Sequence, residues 1–549
     1  MKASDLFVRC LEEEGVEYVF AVPGEENLHL LESLRTSKIR VILNRHEQCS
    51  AFMAATYGRL TGRAGVCLAT LGPGATNLVT GIAHAQLGGM PLVAITGQKG
   101  IRENWQANFQ LLDVVHMMEP ITIRTVQIRS PQSIPKEVRE SFKEATTERK
   151  GACHIELPED VASEEVEEVY RPQEVTQIRG AAPDAEAIGM AAKMIRDSRD
   201  PVIIVSSRAQ GRRVRDALRR LCDLTNLYII HTQLGKGVLG DDHRNSLYSF
   251  GIHRHDYVNC VLDRSDLIIT VGYSTVEYPP SLWNQNMDKR TLHIDFSPAY
   301  HDIYYFPSCE LVGDIASSLD LLTRDLDSYH HDGSYCRKVK GELGEMLFVK
   351  GADDDAFPPR PRRIVADCRK VLGPEDILCL DNGIYKLWFS RHYRTLNVGT
   401  FLVDNTLASM GAGLPSAMAA KLVYPERRVL AVCGDGGFMM NSQELETAVR
   451  LGLNVVVLIL NDNAYGFIKW KQSTYNYPSF ALDFGNPDFV KYAESYGAKG
   501  FHVVTTEELA PILEKAFAQA GPVIVECPID YSENSKTWGE DLDSIVCPM

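Results

Sequence analysis

Two short runs of this 549-residue chain carry the residue types that bind phosphate and a hard metal ion. In RRVLAVCGDGGFMMNSQELETAV, the apolar stretch Arg428–Cys433 runs straight into Gly434-Asp435-Gly436-Gly437. Glycines at such a point let backbone N–H groups close on a phosphate that a side chain would hold off. Asp435 then projects from the carboxyl end of a strand, the place where open α/β sheets bind ligands. A lone Gly-Asp-Gly is more often a tight turn. A second apolar stretch, NVVVLIL, changes the odds by leading into Asn461-Asp462-Asn463-Ala464-Tyr465-Gly466. If the two stretches are neighbouring strands, Asp435 and Asp462 meet at their carboxyl ends. Two buried carboxylates side by side repel, and one stays protonated unless a cation intervenes. Two carboxylates, a backbone carbonyl, diphosphate oxygens and water form the oxygen shell that Mg²⁺ prefers. Asn441 or Ser442 is expected to cap the helix that follows, with Leu445, Ala448, Val449 and Leu451 on its buried side.

A third carboxylate lies near the start of the chain. In VILNRHEQCSAFMAATYGRLTG a short strand runs into Arg45-His46-Glu47 and then a helix packed through Ala51, Phe52, Ala55 and Tyr57. Taken alone, Glu47 is an acid at a helix N-terminus, where it favours the dipole.

The elements that must position these groups form three blocks of alternating short apolar runs and amphipathic helices, the pattern of parallel α/β sheets. Strands are expected at Tyr18–Val22, Val41–Leu43, Gly65–Ala69 and Leu92–Thr96, then at Pro201–Val205, Leu227–His231, Leu267–Val271 and Thr291–Asp295. The last block has Ile377–Asp381, Arg428–Cys433, Val455–Leu460 and Val523–Cys527. The blocks span residues 1–165, 180–330 and 355–549, each a doubly wound parallel-sheet domain. Lys and Arg total 57 against 72 Asp and Glu, a net charge of −15, which argues against a nucleic-acid or anionic-membrane binder. No apolar run approaches the ~18–20 residues needed to span a bilayer. The N-terminus reads as an amphipathic helix rather than a signal peptide. The 13 cysteines are scattered without a CxxC pair, so structural zinc and a disulfide framework are poor readings, and a reducing cytoplasm is expected.

Gly434-Asp435-Gly436, followed some two dozen residues later by Asp462-Asn463, resembles the thiamine diphosphate binding motif. The likeness extends over the whole chain and is greatest to the acetolactate (acetohydroxyacid) synthases. Within them, Val271–Ala316 most resembles the catabolic, flavin-independent type. The resemblance implies a pyrimidine-binding first domain, a central domain and a diphosphate-binding third domain. It makes Asp435, Asp462 and the carbonyl of Ala464 the Mg²⁺ ligands, with Gly434, Gly436, Gly437, Asn463 and Tyr465 around the cofactor. It makes Glu47 the activating acid: a carboxyl on the aminopyrimidine favours its imino tautomer, whose nitrogen takes the proton from the thiazolium carbon. The cationic ring then accepts the electrons released with CO₂. Met410, in Ser409-Met410-Gly411-Ala412-Gly413-Leu414-Pro415, resembles the residue that wedges the cofactor into a V. Gly383 stands where relatives contact the diphosphate, although Ile384 replaces their polar residue, which leaves only backbone for that contact.

The implied reaction is decarboxylation of a 2-keto acid such as pyruvate and ligation to a second one, giving an acetolactate-type product. Phe109-Gln110 resembles the pair facing the reacting carbon, with Gln110 a hydrogen-bond donor to substrate. Phe467 and Trp470 are expected to line the acceptor pocket. Trp470 is a biosynthetic trait on a chain whose Asp462 is a catabolic one. Glu25, in Pro23-Gly24-Glu25-Glu26-Asn27, stands where pyruvate-type decarboxylases keep an acid. An aldehyde-releasing decarboxylase is therefore the alternative, although His116 lacks the partner histidine of those enzymes. An inactive regulatory paralogue is a remoter reading, since neither Glu47 nor a metal ligand is lost. The middle block has no GxGxxG after its first strand, and Tyr273–Pro280 replaces the Arg-bearing segment of flavin-binding relatives, so no FAD is expected. The family also implies a homodimer with shared sites, or a dimer of such dimers.

Overall fold

Six-stranded parallel sheets organise all three parts of the chain. The computed structural model describes residues 1–102, 109–176, 180–251 and 256–540. The first sheet contains β1 (Tyr18–Ala21), β2 (Arg40–Leu43), β3 (Gly65–Ala69), β4 (Leu92–Gln98), β5 (Arg124–Gln127) and β6 (Ala152–Pro158), in the order β2-β1-β3-β4-β6-β5. The second contains β7 (Pro201–Val205), β8 (Tyr228–His231), β9 (Ser246–Ser249), β10 (Leu267–Val271), β11 (Arg290–Asp295) and β12 (Cys309–Val312), in the order β12-β11-β10-β7-β8-β9. The third contains β13 (Ile377–Leu380), β14 (Phe401–Leu402), β15 (Val429–Gly434), β16 (Val456–Asn461), β17 (Lys499–His502) and β18 (Val523–Pro528), in the order β14-β13-β15-β16-β18-β17.

The first and third sheets therefore share one strand order, and the middle sheet has another. In each, the order reverses beside the block's first strand, and the rule for open sheets puts ligands outside the carboxyl ends there. Those points are the ends of β1 and β3, of β7 and β10, and of β13 and β15. All twelve expected strands form, with ends shifted by at most two residues. The six that were not expected are β5, β6, β9, β12, β14 and β17.

By contacts the chain divides into two compact units. One holds Met1–Ile178, Thr406–Glu426 and Met439–Val455; the other holds Arg179–Asn405, Arg427–Phe438 and Val456–Met549. In the first unit the Glu47–Thr61 helix is buried on every face from Cys49 to Gly58, as its small and apolar residues require. It lies against the Pro73–Gly88 helix so closely that a Cβ on Gly81 would stand 2.3 Å from that of Ala51. On another side it meets the Gly413–Val423 helix, where Thr56 Oγ1 donates to Ser416 Oγ at 3.0 Å.

In the second unit a buried charge cluster ties the end of β8 to residue 395. Lys236 Nζ donates to Asp241 Oδ2 (3.2 Å) and to Ser249 Oγ (3.1 Å), while His231 Nε2 lies 2.9 Å from Asp241 Oδ1. The N–H of Thr395 completes the shell at 2.8 Å. Burial alone would raise the Asp241 carboxyl, but Lys236 and His231 outweigh it and hold the group well below the usual carboxylate range. Burial pushes His231 down. Among the described residues eleven cysteines are buried free thiols. No described helix is long and apolar enough to cross a membrane.

Asp241→Ala should destabilise the protein by about 3–5 kcal/mol in denaturant unfolding, because it strands the Lys236 ammonium without a counter-charge. Adding Lys236→Met should recover most of that loss, and failure to recover would mean the ion pair is not the cause.

Candidate active site

In the first unit, three loops at the carboxyl end of the sheet converge around Glu47. His46 caps the helix in extended conformation, its ring Nδ1 accepting from the N–H of Gln48 at 3.1 Å, which puts Glu47 at the first helical position. One carboxylate oxygen, Oε2, accepts from Asn77 Nδ2 at 2.9 Å. The other, Oε1, has no hydrogen-bond partner among the described residues and lies 3.5 Å from where a Cβ on Gly74 would stand. Gly74 thus keeps that side of the acid open. Gly72, at φ +53, has Gln110 O 2.9 Å from its own would-be Cβ, so the backbone of Gln110 is seated on the loop after β3. Phe109 is 69% exposed, and Gln110 is exposed with φ +58.

The Pro23–Asn27 loop supplies two adjacent acids with opposite surroundings. Glu25 is exposed in a short 3-10 turn. Glu26, which the sequence reading passed over, is buried and accepts from Thr70 Oγ1 and Lys99 Nζ, each at 2.6 Å. Burial raises its carboxyl, but these bonds outweigh it and hold the group below its ordinary value. Glu26 is a structural pin, and Glu25 is the free acid. His116 is exposed and bonded to Asp113. Met410 sits half-buried just before the Gly413–Val423 helix, followed by Gly411 at φ +87.

In the second unit, Asp381–Gly383, Gly434–Gly437 and Asn461–Tyr465 follow β13, β15 and β16, which are neighbours in the sheet. The glycines are crowded as well as flexible. A Cβ would come to 2.7 Å from Asp381 Oδ2 at Gly437, 2.8 Å from the Tyr465 ring at Gly436, and 2.4 Å from the Tyr385 ring at Gly383. The Asp435–Met440 helix starts at Asp435 itself. The next helix begins at Glu444, with neither Asn441 nor Ser442 as its cap. The capping expectation fails because the glycine loop already turns helical.

Asp435 is 1% exposed, and its Oδ2 accepts from Asn486 Nδ2 at 2.8 Å. Asn486 also reaches Asn461 Oδ1 (3.2 Å) and Asn463 Oδ1 (3.0 Å), joining the two loops. Nothing in the Gly485-Asn486-Pro487 run marks this residue in the sequence. Burial, and then the charge of Asp435, pushes Asp462 up to about 7. Burial also raises Asp435, against the pull of Asn486 and the backbone N–H groups of Gly436, Asn463 and Asp435 itself. Asn463 takes φ +52, a conformation asparagine tolerates. The Ala464 carbonyl accepts from the N–H of Gly466 at 3.0 Å and keeps a second lone pair. Among the described residues no group of three His, Cys, Asp or Glu side chains could hold a metal. An ion here would take its other ligands from backbone and ligand oxygens. A buried and a half-buried carboxylate, both raised by burial and the second also by the charge of the first, are donors a divalent ion would satisfy, so these residues fit Mg²⁺ and a diphosphate.

Ile384 is buried in the core, which leaves only the backbone near Gly383 for any ligand contact. Phe467 and Trp470 lie on the Gly466–Thr474 helix with ring centroids 5.7 Å apart. Trp470 is itself a core residue.

The chain matches three models of thiamine pyrophosphate enzymes: the N-terminal TPP binding domain over residues 1–117, the central domain over 188–322, and the C-terminal TPP binding domain over 381–527. It is 34% identical over 550 residues to an acetolactate synthase of Bacillus subtilis, covering 98% of this chain and 95% of that one. It is also 34% identical over 542 residues to a catabolic acetolactate synthase of Raoultella terrigena, covering 98% and 96%. A probable acetolactate synthase large subunit of Methanocaldococcus jannaschii is 33% identical over 566 residues, covering 100% and 96%.

Glu47→Gln keeps the side-chain shape but removes the exchangeable proton, and it should lower turnover by roughly 10²–10⁴-fold. The circular-dichroism spectrum should not change. Undiminished turnover would take Glu47 out of the chemistry.

Proposed function

This chain belongs to the acetolactate synthase family of thiamine pyrophosphate enzymes, and we infer from that premise that it is a carboligase. It decarboxylates one 2-keto acid and joins the remaining acyl unit to a second, yielding an acetolactate-type product and CO₂. With pyruvate in both roles the product is acetolactate. The observation that carries the reading is the facing pair Asp435 and Asp462 behind a glycine loop at the switch point of the third sheet.

When bound, thiamine diphosphate supplies an acidic ring carbon that adds to the keto group and a cationic ring that takes up the electrons left by CO₂. The residues of this chain do the rest. Asp435, Asp462 and the carbonyl of Ala464 hold Mg²⁺. Gly434, Gly436, Gly437, Asn463, Tyr465 and the backbone at Gly383 surround the diphosphate. Glu47, steadied at Oε2 by Asn77, offers Oε1 to the aminopyrimidine edge and exchanges its proton there. Met410 is the wedge, its half-burial leaving part of the side chain for the cofactor. Gln110 donates to the substrate, and Phe109, Phe467 and Trp470 bound the acceptor side. Glu25, in solvent at the end of β1, is the acid that would return a proton in the aldehyde-releasing alternative rather than in ligation.

The central domain supports a flavin-free enzyme through what fills its switch point. The N–H of Arg208 donates to Gly272 O at 3.1 Å, directly bridging the loops after β7 and β10. A Cβ on Gly272 would stand 2.4 Å from the backbone nitrogen of Ala209. The Glu277 carboxylate takes Ser206 Oγ (2.9 Å), Thr232 Oγ1 (2.7 Å) and the N–H of Leu234 (2.6 Å). These contacts between the loops beside the switch point support the reading that no dinucleotide binds there. A two-fold homodimer with shared sites, or a pair of such dimers, follows the family pattern. Support comes from the apolar Phe109, Leu111 and Leu112, which are left in solvent. A reducing cytoplasm suits the eleven free thiols.

Incubation with pyruvate and Mg²⁺-thiamine diphosphate should give acetolactate as the main product, with no dependence on added FAD. Predominant acetaldehyde would make the enzyme a decarboxylase, and a yellow protein requiring FAD would overturn the flavin-free reading. Asn486→Ala should weaken Mg²⁺ activation by roughly 10–100-fold, read as a shift in the Mg²⁺ concentration for half-maximal rate.

A further inference from the structure

Glu444 is a fully buried carboxylate, 0% exposed, that the reading above does not use. Its Oε1 accepts from the N–H groups of Arg45 (2.8 Å) and His46 (3.1 Å). Its Oε2 accepts from Asn44 Nδ2 (3.0 Å) and Thr447 Oγ1 (2.7 Å). Three of these four donors belong to the residues that immediately precede Glu47. Burying a carboxylate is expensive unless every lone pair is met by a well-placed donor. Here the compensation comes from amides at the start of the Glu47–Thr61 helix, so the position of Glu444 and the trajectory of residues 44–46 fix each other.

The same short segment grips a second functional neighbour. Asn441 Nδ2 donates to Gly411 O at 2.8 Å, directly after Met410. A Cβ on Gly411 would stand 2.7 Å from that Nδ2 nitrogen, so the contact has no slack. Asn441 through Glu444 therefore holds the residue beside the wedge at one end and the residues beside the activating acid at the other.

We propose that Glu444 is a positioning residue for catalysis: through the backbone of Arg45 and His46 it sets where Glu47 presents its carboxylate. This rests on the assignment of Glu47 above. Side-chain restraint comes from Asn77 and main-chain restraint from Glu444, so loss of either misplaces the same acid.

The test is Glu444→Gln in the full-length enzyme. The amide keeps the size but turns an NH₂ group toward donors on one side. The expected result is a fall in kcat of about 10–100-fold with substrate KM within about twofold, the size a misplacement near 1 Å produces. Deuterium exchange at the reactive ring carbon of the bound cofactor should slow by the same factor. Cofactor affinity, read by fluorescence titration, should stay within about threefold of wild type, because no group contacting the diphosphate is altered. In a Glu47→Gln background the same substitution should produce almost no additional loss, since both changes act on one carboxylate. A lowered melting temperature with exchange rate and kcat per folded site unchanged would overturn the proposal, as would a fully multiplicative double mutant. If Glu444→Gln fails to fold, Thr447→Val removes a single donor to Oε2 and should show the same pattern at smaller size; unchanged exchange in a folded Thr447→Val enzyme would count equally against it. If Glu47→Gln alone were harmless, the assignment of Glu47 would fail instead, and the cycle separates the two.

Discussion

Asp435 and Asp462 press two negative charges into a buried corner of the third sheet, and much of the surrounding architecture answers that repulsion. Burial first, and then the charge of Asp435, drives Asp462 up to about 7, so without a counter-charge the corner holds little more than one negative charge near neutrality. A divalent ion with a diphosphate would remove the conflict and convert a destabilising pair into a binding site. The neighbouring features follow from that need. Asn486 bridges the two loops and holds the Asp435 carboxylate. Glycines lie where a Cβ would strike Asp381 or the rings of Tyr465 and Tyr385, so the loop has one packing and little freedom to relax away.

The shared strand order of the outer sheets explains how two different tasks came to sit at equivalent places. At the ends of β2 and β3 the first sheet assembles an acid, its amide partner and the seat of Gln110. At the ends of β13, β15 and β16 the third brings together its glycine loop, Asp435 and Asp462. The central sheet has the nucleotide-type order, yet its own loops hydrogen-bond across the switch point. Topology proposes a crevice in all three sheets, and local residues decide whether it stays open.

What the sequence made legible follows burial. Strands such as β3, β7, β10 and β16 are continuous apolar runs because both faces are covered, and they were placed nearly to the residue. β5, with the sequence RTVQ, and β17, with KGFH, are short outer strands, too polar to separate from loop. β14 has two residues. In the site, Asp435, Asp462 and Glu47 stood out because glycines or a helix start flanked them. Asn77, Asn486 and Glu26 did not, since their importance lies in partners far along the chain. Nothing in the sequence singles out Glu444, and only its contacts some four hundred residues back give it meaning.

The cysteines carry a different lesson. Burial raises the thiols of Cys10, Cys153 and Cys336 to about 12, and those of Cys49 and Cys368 higher than the ordinary range as well. A thiol that far from ionising offers almost no nucleophile to alkylating agents or peroxide at physiological pH. Sulfur-rich as the chain is, these positions give it an inert interior, and electrophilic drugs would find little purchase on them.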